Sequence, residues 1–202
     1  SQGAQVLDLE GLACHRGSVL GALVGGQPSQ KHFETQLWQA LRGYNPCQPV
    51  FVESESRTIG RLRLPEALLV QMRASPCIRV EMPTSARIAL LLADYPHHLH
   101  DVDGLCARLD SLREIRGHSV INAWVQLALT GTWHQLVAEL LEQHYDPIYL
   151  RSMARNFAQY TTALQLVLAD GEPAGMAQAA RELLHKVHAD RGPALHEPMP
   201  GR

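Results

Sequence analysis

Three consecutive apolar residues, Val50, Phe51 and Val52, run directly into Glu53, Glu55, Arg57 and Arg61. A β-branched and aromatic run without polar alternation fits a strand covered on both faces, and such strands belong to parallel sheets packed between helices. Parallel neighbours need long, usually helical, crossovers, so this stretch commits the surrounding chain to an α/β arrangement. It also puts charge at the carboxyl end of a strand, where open α/β sheets hold their ligands. Glu53 and Glu55 are the residue types that hold a metal ion or act as a base, while Arg57 and Arg61 suit phosphate. A solvated loop of internal ion pairs is the competing reading.

The flanking sequence fits this arrangement. Gln5, Val6, Leu7 and Leu9 belong to a first strand, entered so early that a preceding segment is expected. A loop follows over 10–18, in which Gly11 and Gly17 permit a tight path and His15, Arg16 and Ser18 offer groups to an anion; an ordinary glycine turn is the plainer alternative. Residues 21–27 read as a Gly-rich connection. Ser29 then caps a helix that presents Phe33, Leu37, Trp38 and Leu41 on one face and stops at Gly43. Pro65 opens a helix carrying Leu68, Leu69 and Met72, residues 77–82 form a third strand, and 86–93 another helix. Loops that follow parallel strands share one sheet edge, so Arg16, Arg57 and Arg61 are expected around a single anion.

Beyond residue 94 the pattern predicts helices only, over 102–115, 119–129, 133–143, 147–168 and 173–187. Asp146 followed by Pro147 reads as an N-cap with proline at the first helical position. Leu150, Met153, Phe157, Tyr160, Leu164 and Val167 recur at spacings of three and four, the core stripe of one long helix. Arg151 and Arg155 lie four apart beside that stripe, with Tyr145 and Tyr149 near its start. Guanidiniums for phosphate beside rings for unpaired bases suit RNA, whereas tyrosines packed under the preceding helix are the alternative. The expected organisation is an α/β portion over 1–95, a helical region over 96–190 and a disordered tail over 191–202 containing Pro193, Pro198 and Pro200.

Composition narrows the function. The net charge of −2 gives no broad basic field, and only Lys31 and Lys186 of the 18 basic residues are lysine, so an anion site would be a local arginine cluster. No apolar run approaches the ~20 residues of a membrane span, and the start has no signal-peptide pattern, which predicts a cytoplasmic protein. Cys14, Cys47, Cys77 and Cys106 are widely spaced and read as buried thiols. His97, His98 and His100 lack the spacing of a structural metal site, and none is predicted. No G-x-x-x-x-G-K-[ST] motif occurs, which argues against a stand-alone nucleotide kinase.

Three blocks carry a resemblance: D-L-E-G-L-A-C-H-R-G-S at 8–18, E-S-E-S-R-T-I-G at 53–60 and Y-D-P-I-Y at 145–149. In this order they closely resemble the bacterial tRNA 2-selenouridine synthases, over nearly the whole chain apart from the tail. Cys14 stands where asparagine is common in that family. The resemblance implies a P-loop NTPase-like fold truncated after its phosphate loop, with a rhodanese-like domain and the catalytic cysteine upstream, so that this chain alone is expected to be inactive. It further implies a transferase that converts wobble 2-thiouridine to 2-selenouridine through an S-geranylated intermediate, using selenophosphate and geranyl diphosphate and recognising the anticodon region of tRNA. Glu53 then occupies the place of a Walker B acid, and with Glu55 is a candidate for Mg²⁺ held through water. His15, Arg16, Ser18, Arg57 and Arg61 are the candidate phosphate ligands. A non-catalytic RNA-binding or scaffolding module is the competing function.

Overall fold

The computed structural model describes residues 2–23 and 25–190. The tail expected over 191–202 lies outside the described residues. Strand β1 (Gln5–Leu7) pairs in parallel with β2 (Val50–Val52), Val6 lying opposite Phe51. Between them come a short helix, α1 (Leu9–Ala13), and α2 (Gln30–Arg42). The stretch expected to finish a strand and open a loop is therefore helical: the Asp8 carboxylate accepts the Gly11 amide at 2.7 Å and caps α1, and Cys14 closes it in the left-handed conformation at φ 48°.

Ser29 caps α2 as predicted, its hydroxyl accepting the His32 amide at 3.2 Å. The buried stripe is Phe33, Leu37 and Ala40, not the expected face extending to Trp38 and Leu41. Those two lie beside the stripe and are 57% and 43% exposed, with the Arg42 guanidinium over the Trp38 ring at 4.6 Å.

After β2 the chain makes a hairpin, β3 (Thr58–Ile59) and β4 (Leu62–Arg63), around Gly60 and Arg61. Gly60, at φ 57°, takes the first turn position, where a two-residue hairpin of the II′ kind places glycine. Helix α3 (Glu66–Ala74) follows. Leu7, Leu9, Phe33, Leu37, Ile59, Leu62, Leu69 and Met72 from these elements form one core. Fully burying a side chain such as Phe33 contributes roughly 2–3 kcal/mol.

The predicted third strand is β5 (Ile78–Glu81), but it does not extend the first sheet. It pairs in parallel with β6 (Leu164–Val167), from Ile78 opposite Leu164 to Glu81 opposite Val167. This corrects two expectations, that the second half is all-helical and that 147–168 is one helix. The helix ends at Asn156, with Phe157 extended. The next residues are captured by the end of α3, Ala158 N–H donating to the Arg73 carbonyl at 3.2 Å and the Gln159 amide to the Ala74 carbonyl at 2.8 Å. The chain is thus led to β5, where Leu164 and Leu166 face inward and Gln165 outward. Leucines at 164 and 166 fit a period of two as well as Leu164 fits the helical stripe.

The remaining helices are α4 (Thr84–Asp94), α5 (Pro96–His100), α6 (Val102–Asp110), α7 (Arg113–Arg116), α8 (His118–Leu129), α9 (Trp133–Leu140), α10 (Asp146–Asn156) and α11 (Pro173–Asp190). A π-helical turn, Leu141–Tyr145, joins α9 to α10 without a break. Leu105, Leu109, Leu112, Ile121, Trp124, Ala128, Leu136 and Leu140 form a second core. Trp124 is completely buried, its indole N–H donating to Glu139 at 3.1 Å. Contrary to expectation the thiols are not buried: Cys14 and Cys47 are exposed, Cys77 and Cys106 half-buried. No helix among the described residues is long and apolar enough to cross a membrane.

Candidate functional site: a pocket where three sequence blocks meet

Blocks far apart in sequence converge, Ser54 and Tyr149 being separated by 95 residues. From the first to the second, the Leu9 amide donates to Glu53 Oε2 at 3.0 Å, and Glu10 hydrogen-bonds Glu55. Gly17 lies so close to the Glu55 carboxylate that a Cβ there would sit 2.8 Å from Oε1. From the third to the second, the Tyr149 and Ser54 hydroxyls share a 2.5 Å hydrogen bond. From the third to the first, the Tyr145 hydroxyl is enclosed beside Ser18 and the Leu20 amide.

The first block holds its shape through backbone bonds. Arg16 N–H donates to the Gly21 carbonyl at 2.8 Å, Ser18 N–H to Arg16 at 2.8 Å, and Gly21 N–H to Ser18 at 2.9 Å. His15 Nδ1 accepts the Gly17 amide at 3.1 Å, and burial lowers its pKa, so the neutral ring is favoured. The Arg16 side chain reaches Asp94 at 2.9 Å and stacks over the Tyr95 ring at 4.8 Å.

Arg16, Arg57 and Arg61 do not surround one anion. Arg57 faces Glu66 at 3.4 Å, both largely in water. Arg61 is a structural staple: its guanidinium donates to the Gln27 carbonyl at 2.6 Å and its amide to Gln27 Oε1 at 2.9 Å. Gln27 in turn donates to the Ile59 carbonyl at 2.8 Å, tying the Gly-rich connection to the hairpin.

The acidic groups do converge. Burial pushes Glu53 up, opposed by the Leu9 amide, and pushes Glu10 up, opposed by its bond to Glu55. Glu55 rises to about 7, through burial first and then the charge of Glu10. One proton shared between two carboxyls is the natural state of such a pair near neutrality. Among the described residues no three His, Cys, Asp or Glu side chains are arranged to hold a metal ion.

Beside this cluster opens a cavity of about 230 Å³. Arg16, Ser18, Tyr95 and Tyr145 give it a polar side, and Leu91 and Leu92 of α4, Leu99, Leu105 of α6, and Leu136, Val137 and Leu140 of α9 make its apolar walls. His98, in its wall, is buried between the Leu20 carbonyl at Nε2, 3.0 Å, and Arg108 at Nδ1, 3.1 Å. Asp146, expected as an N-cap, lies inside a continuous helix and binds Arg87 of α4 bidentately at 2.6 and 2.9 Å. That pair clamps α10 to α4.

Of the residues expected at an RNA surface, Tyr145 is instead part of the pocket wall. Tyr149 is 54% exposed, Arg155 is exposed, and Arg151 Nε donates to the Pro147 carbonyl at 2.9 Å on the surface. Glu10, Asp94, Tyr95 and Arg87 were not singled out from sequence. One signal was present: Leu136, Val137, Leu140 and Leu141 form an apolar face wider than a single core stripe needs.

A family model described as the tRNA 2-selenouridine synthase AAA domain matches residues 1–115. The chain belongs to this family. Curated relatives named tRNA 2-selenouridine synthase include that of Alcanivorax borkumensis, 35% identical over 182 residues, with 76% of this chain and 50% of the relative covered. Those of Marinobacter nauticus and Aeromonas salmonicida are 34% and 35% identical, covering 71% and 72% of this chain and 47% of each relative. The chain spans about half the length of the curated relatives it matches. No solved structure matches.

Proposed function

We propose that this chain is the donor-binding part of a tRNA-modifying transferase that converts wobble 2-thiouridine to 2-selenouridine, and that geranyl diphosphate, the source of an S-geranylated intermediate, occupies the cavity beside the first block. The observation that carries this reading is the cavity itself. Leucine walls with a guanidinium and a hydroxyl at one side suit an amphiphile with a short hydrocarbon tail and an anionic head. Curated relatives with the name tRNA 2-selenouridine synthase supply the reaction.

Arg16 is already neutralised by Asp94, and Glu10 and Glu55 lie close by, so a diphosphate is best received together with a divalent cation. Mg²⁺ keeps several waters and takes one or two carboxylates plus phosphate oxygens, which the Glu10–Glu55 pair and the ligand supply. Glu53 is the poorer candidate, since Oε2 is occupied by the Leu9 amide. Selenophosphate, a smaller anion, uses the same polar side. The parallel pairing of β1 and β2, with Glu53 at the carboxyl end, supports a P-loop-type fold. The exposed side of α10, with Tyr149, Arg151 and Arg155, faces the anticodon region of a cytoplasmic tRNA, and the catalytic cysteine belongs to a rhodanese-like domain outside this chain.

Calorimetry with Mg²⁺ and geranyl diphosphate tests the reading, using inorganic diphosphate as the control. The tail contributes about 0.8 kcal/mol per buried methylene, so geranyl diphosphate binds at least tenfold more tightly than diphosphate. Val137→Trp, which fills the cavity from a half-buried position, removes that advantage. Equal affinities for the two ligands, or an unaffected Val137→Trp variant that is folded, contradict it.

A further inference from the structure

Helix α2 turns an aromatic ring away from the core. Trp38 is 57% exposed beside Leu41, 43% exposed, and the Arg42 guanidinium lies over the indole at 4.6 Å. Trp38, Gln39, Arg42 and Gly43 line one shallow depression, to which Gly43 contributes no side chain. The Gln39 amide, with donors and an acceptor, has no hydrogen-bond partner among the described residues. A flat ring, a free amide and a guanidinium together match a heterocyclic base on a phosphate backbone. The ring stacks, the amide reads a base edge and the cation meets phosphate.

The surroundings favour a polyanion over an apolar protein surface. Lys31 precedes Trp38 by seven residues, two turns along the same face and about 10 Å away by helical rise. Arg61 and Arg63 flank the start of α2, the Arg61 guanidinium donating to the Gln27 carbonyl at 2.6 Å and the Arg63 amide to Gln30 Oε1 at 2.9 Å. Lys31, Arg42, Arg61 and Arg63 are exposed, and among the described residues none is paired with a carboxylate. Glu34, the one acid of α2, accepts the Gln30 amide at 2.8 Å. Protein interface cores are depleted of charged residues, lysine among them, so two apolar side chains set among four cations make a poor one.

We propose that this face of α2 binds single-stranded RNA, with an unpaired base stacked on Trp38. It shares no residue with the cavity or with α10 and needs neither. The test is titration of the chain with an unstructured ten-nucleotide RNA and with the RNA duplex of the same sequence, read by anisotropy of a labelled RNA and by tryptophan emission. The single strand binds more tightly than the duplex and quenches Trp38. Trp38→Phe, which keeps a ring, retains most of the affinity, whereas Trp38→Leu, which keeps apolar bulk without a π-face, loses about tenfold or more. Lys31→Ala lowers the slope of log affinity against log salt by about one. Both positions are exposed, and a thermal melt confirms that the variants fold. Arg151→Ala with Arg155→Ala leaves the quenching unchanged, so failure here and failure at α10 are read separately. Equal losses in Trp38→Phe and Trp38→Leu, unchanged affinity in folded Trp38→Leu, or a duplex bound as well as the single strand overturns the proposal. Absence of RNA binding overturns it too, and self-association abolished by Trp38→Leu would then assign the face to a second copy of the chain.

Discussion

Glu55→Gln isolates the carboxyl pair. In the folded protein Glu55 is pushed up to about 7, first by burial and then by Glu10, to which it is hydrogen-bonded. A group whose folded pKa lies above its unfolded value binds its proton more readily when folded. Its stabilising contribution is complete below the ordinary value of 4.5 and is lost as pH rises through about 7. At about 1.36 kcal/mol per unit the displacement corresponds to about 3 kcal/mol; because water reaches part of this carboxylate, the expected effect is about 1–2 kcal/mol. Glutamine cannot ionise, yet its amide can donate to Glu10, leaving one charge where the wild type above neutrality carries two. The variant is therefore more stable than wild type by about 1–2 kcal/mol at pH 8, with the gap closing towards pH 4.5. Urea unfolding followed by tryptophan fluorescence across this range measures it, Trp124 being buried in the folded state. A variant whose stability follows the wild-type pH curve in parallel would refute a shared proton between α1 and the loop after β2.

Gly17→Ala combines a left-handed backbone, φ 69°, with a Cβ 2.8 Å from Glu55 Oε1, and denaturant unfolding should show a loss of at least about 1–2 kcal/mol, smaller in a Glu55→Ala background. His98 and His144 have pKa values lowered by burial, so the unfolded chain takes up protons that the folded one refuses; stability falls as pH drops below the ordinary 6.5, and NMR titration finding either ring at or above 6.5 would contradict this. Trp124→Phe removes the bond to Glu139 and opens space in the helical core, costing on the order of 2 kcal/mol in thermal or urea unfolding. If α10 meets tRNA as proposed, Arg151→Ala with Arg155→Ala weakens tRNA binding and flattens its salt dependence by about one unit of slope for each phosphate no longer neutralised, while an unchanged slope in a folded double variant removes α10 from the RNA surface.

The α/β portion was legible where local chemistry decides. The strand at 50–52, the Ser29 cap and the Pro65 start appear in the structure because each is marked by local residues. But β2 is not covered on both faces as its unbroken apolar run suggested: it lies in a two-stranded sheet, with Val50 37% exposed and Phe51 and Val52 half-buried. The break at Asn156 was not legible, since it depends on carbonyls of Arg73 and Ala74 more than 80 residues away. The same holds for the site. The three blocks flagged the residues that meet, but a charge pattern cannot say which arginine is free for a ligand. Arg61 is committed to Gln27, a residue with no charge to advertise the partnership. The cavity depends on the spacing between α4, α6 and α9, which no single helix encodes; only the over-wide apolar face of α9 hinted at it.

Photo-crosslinking with a geranyl diphosphate carrying a diazirine at the far end of its tail tests the location of the donor site most directly. With Mg²⁺ present, adducts are expected on the apolar wall, among Leu91, Leu92, Leu105, Leu136 and Leu140, suppressed by unlabelled geranyl diphosphate and not by inorganic diphosphate at equal concentration. Competable adducts confined to the first core, between residues 30 and 72, would place the tail elsewhere and contradict a donor site in this cavity.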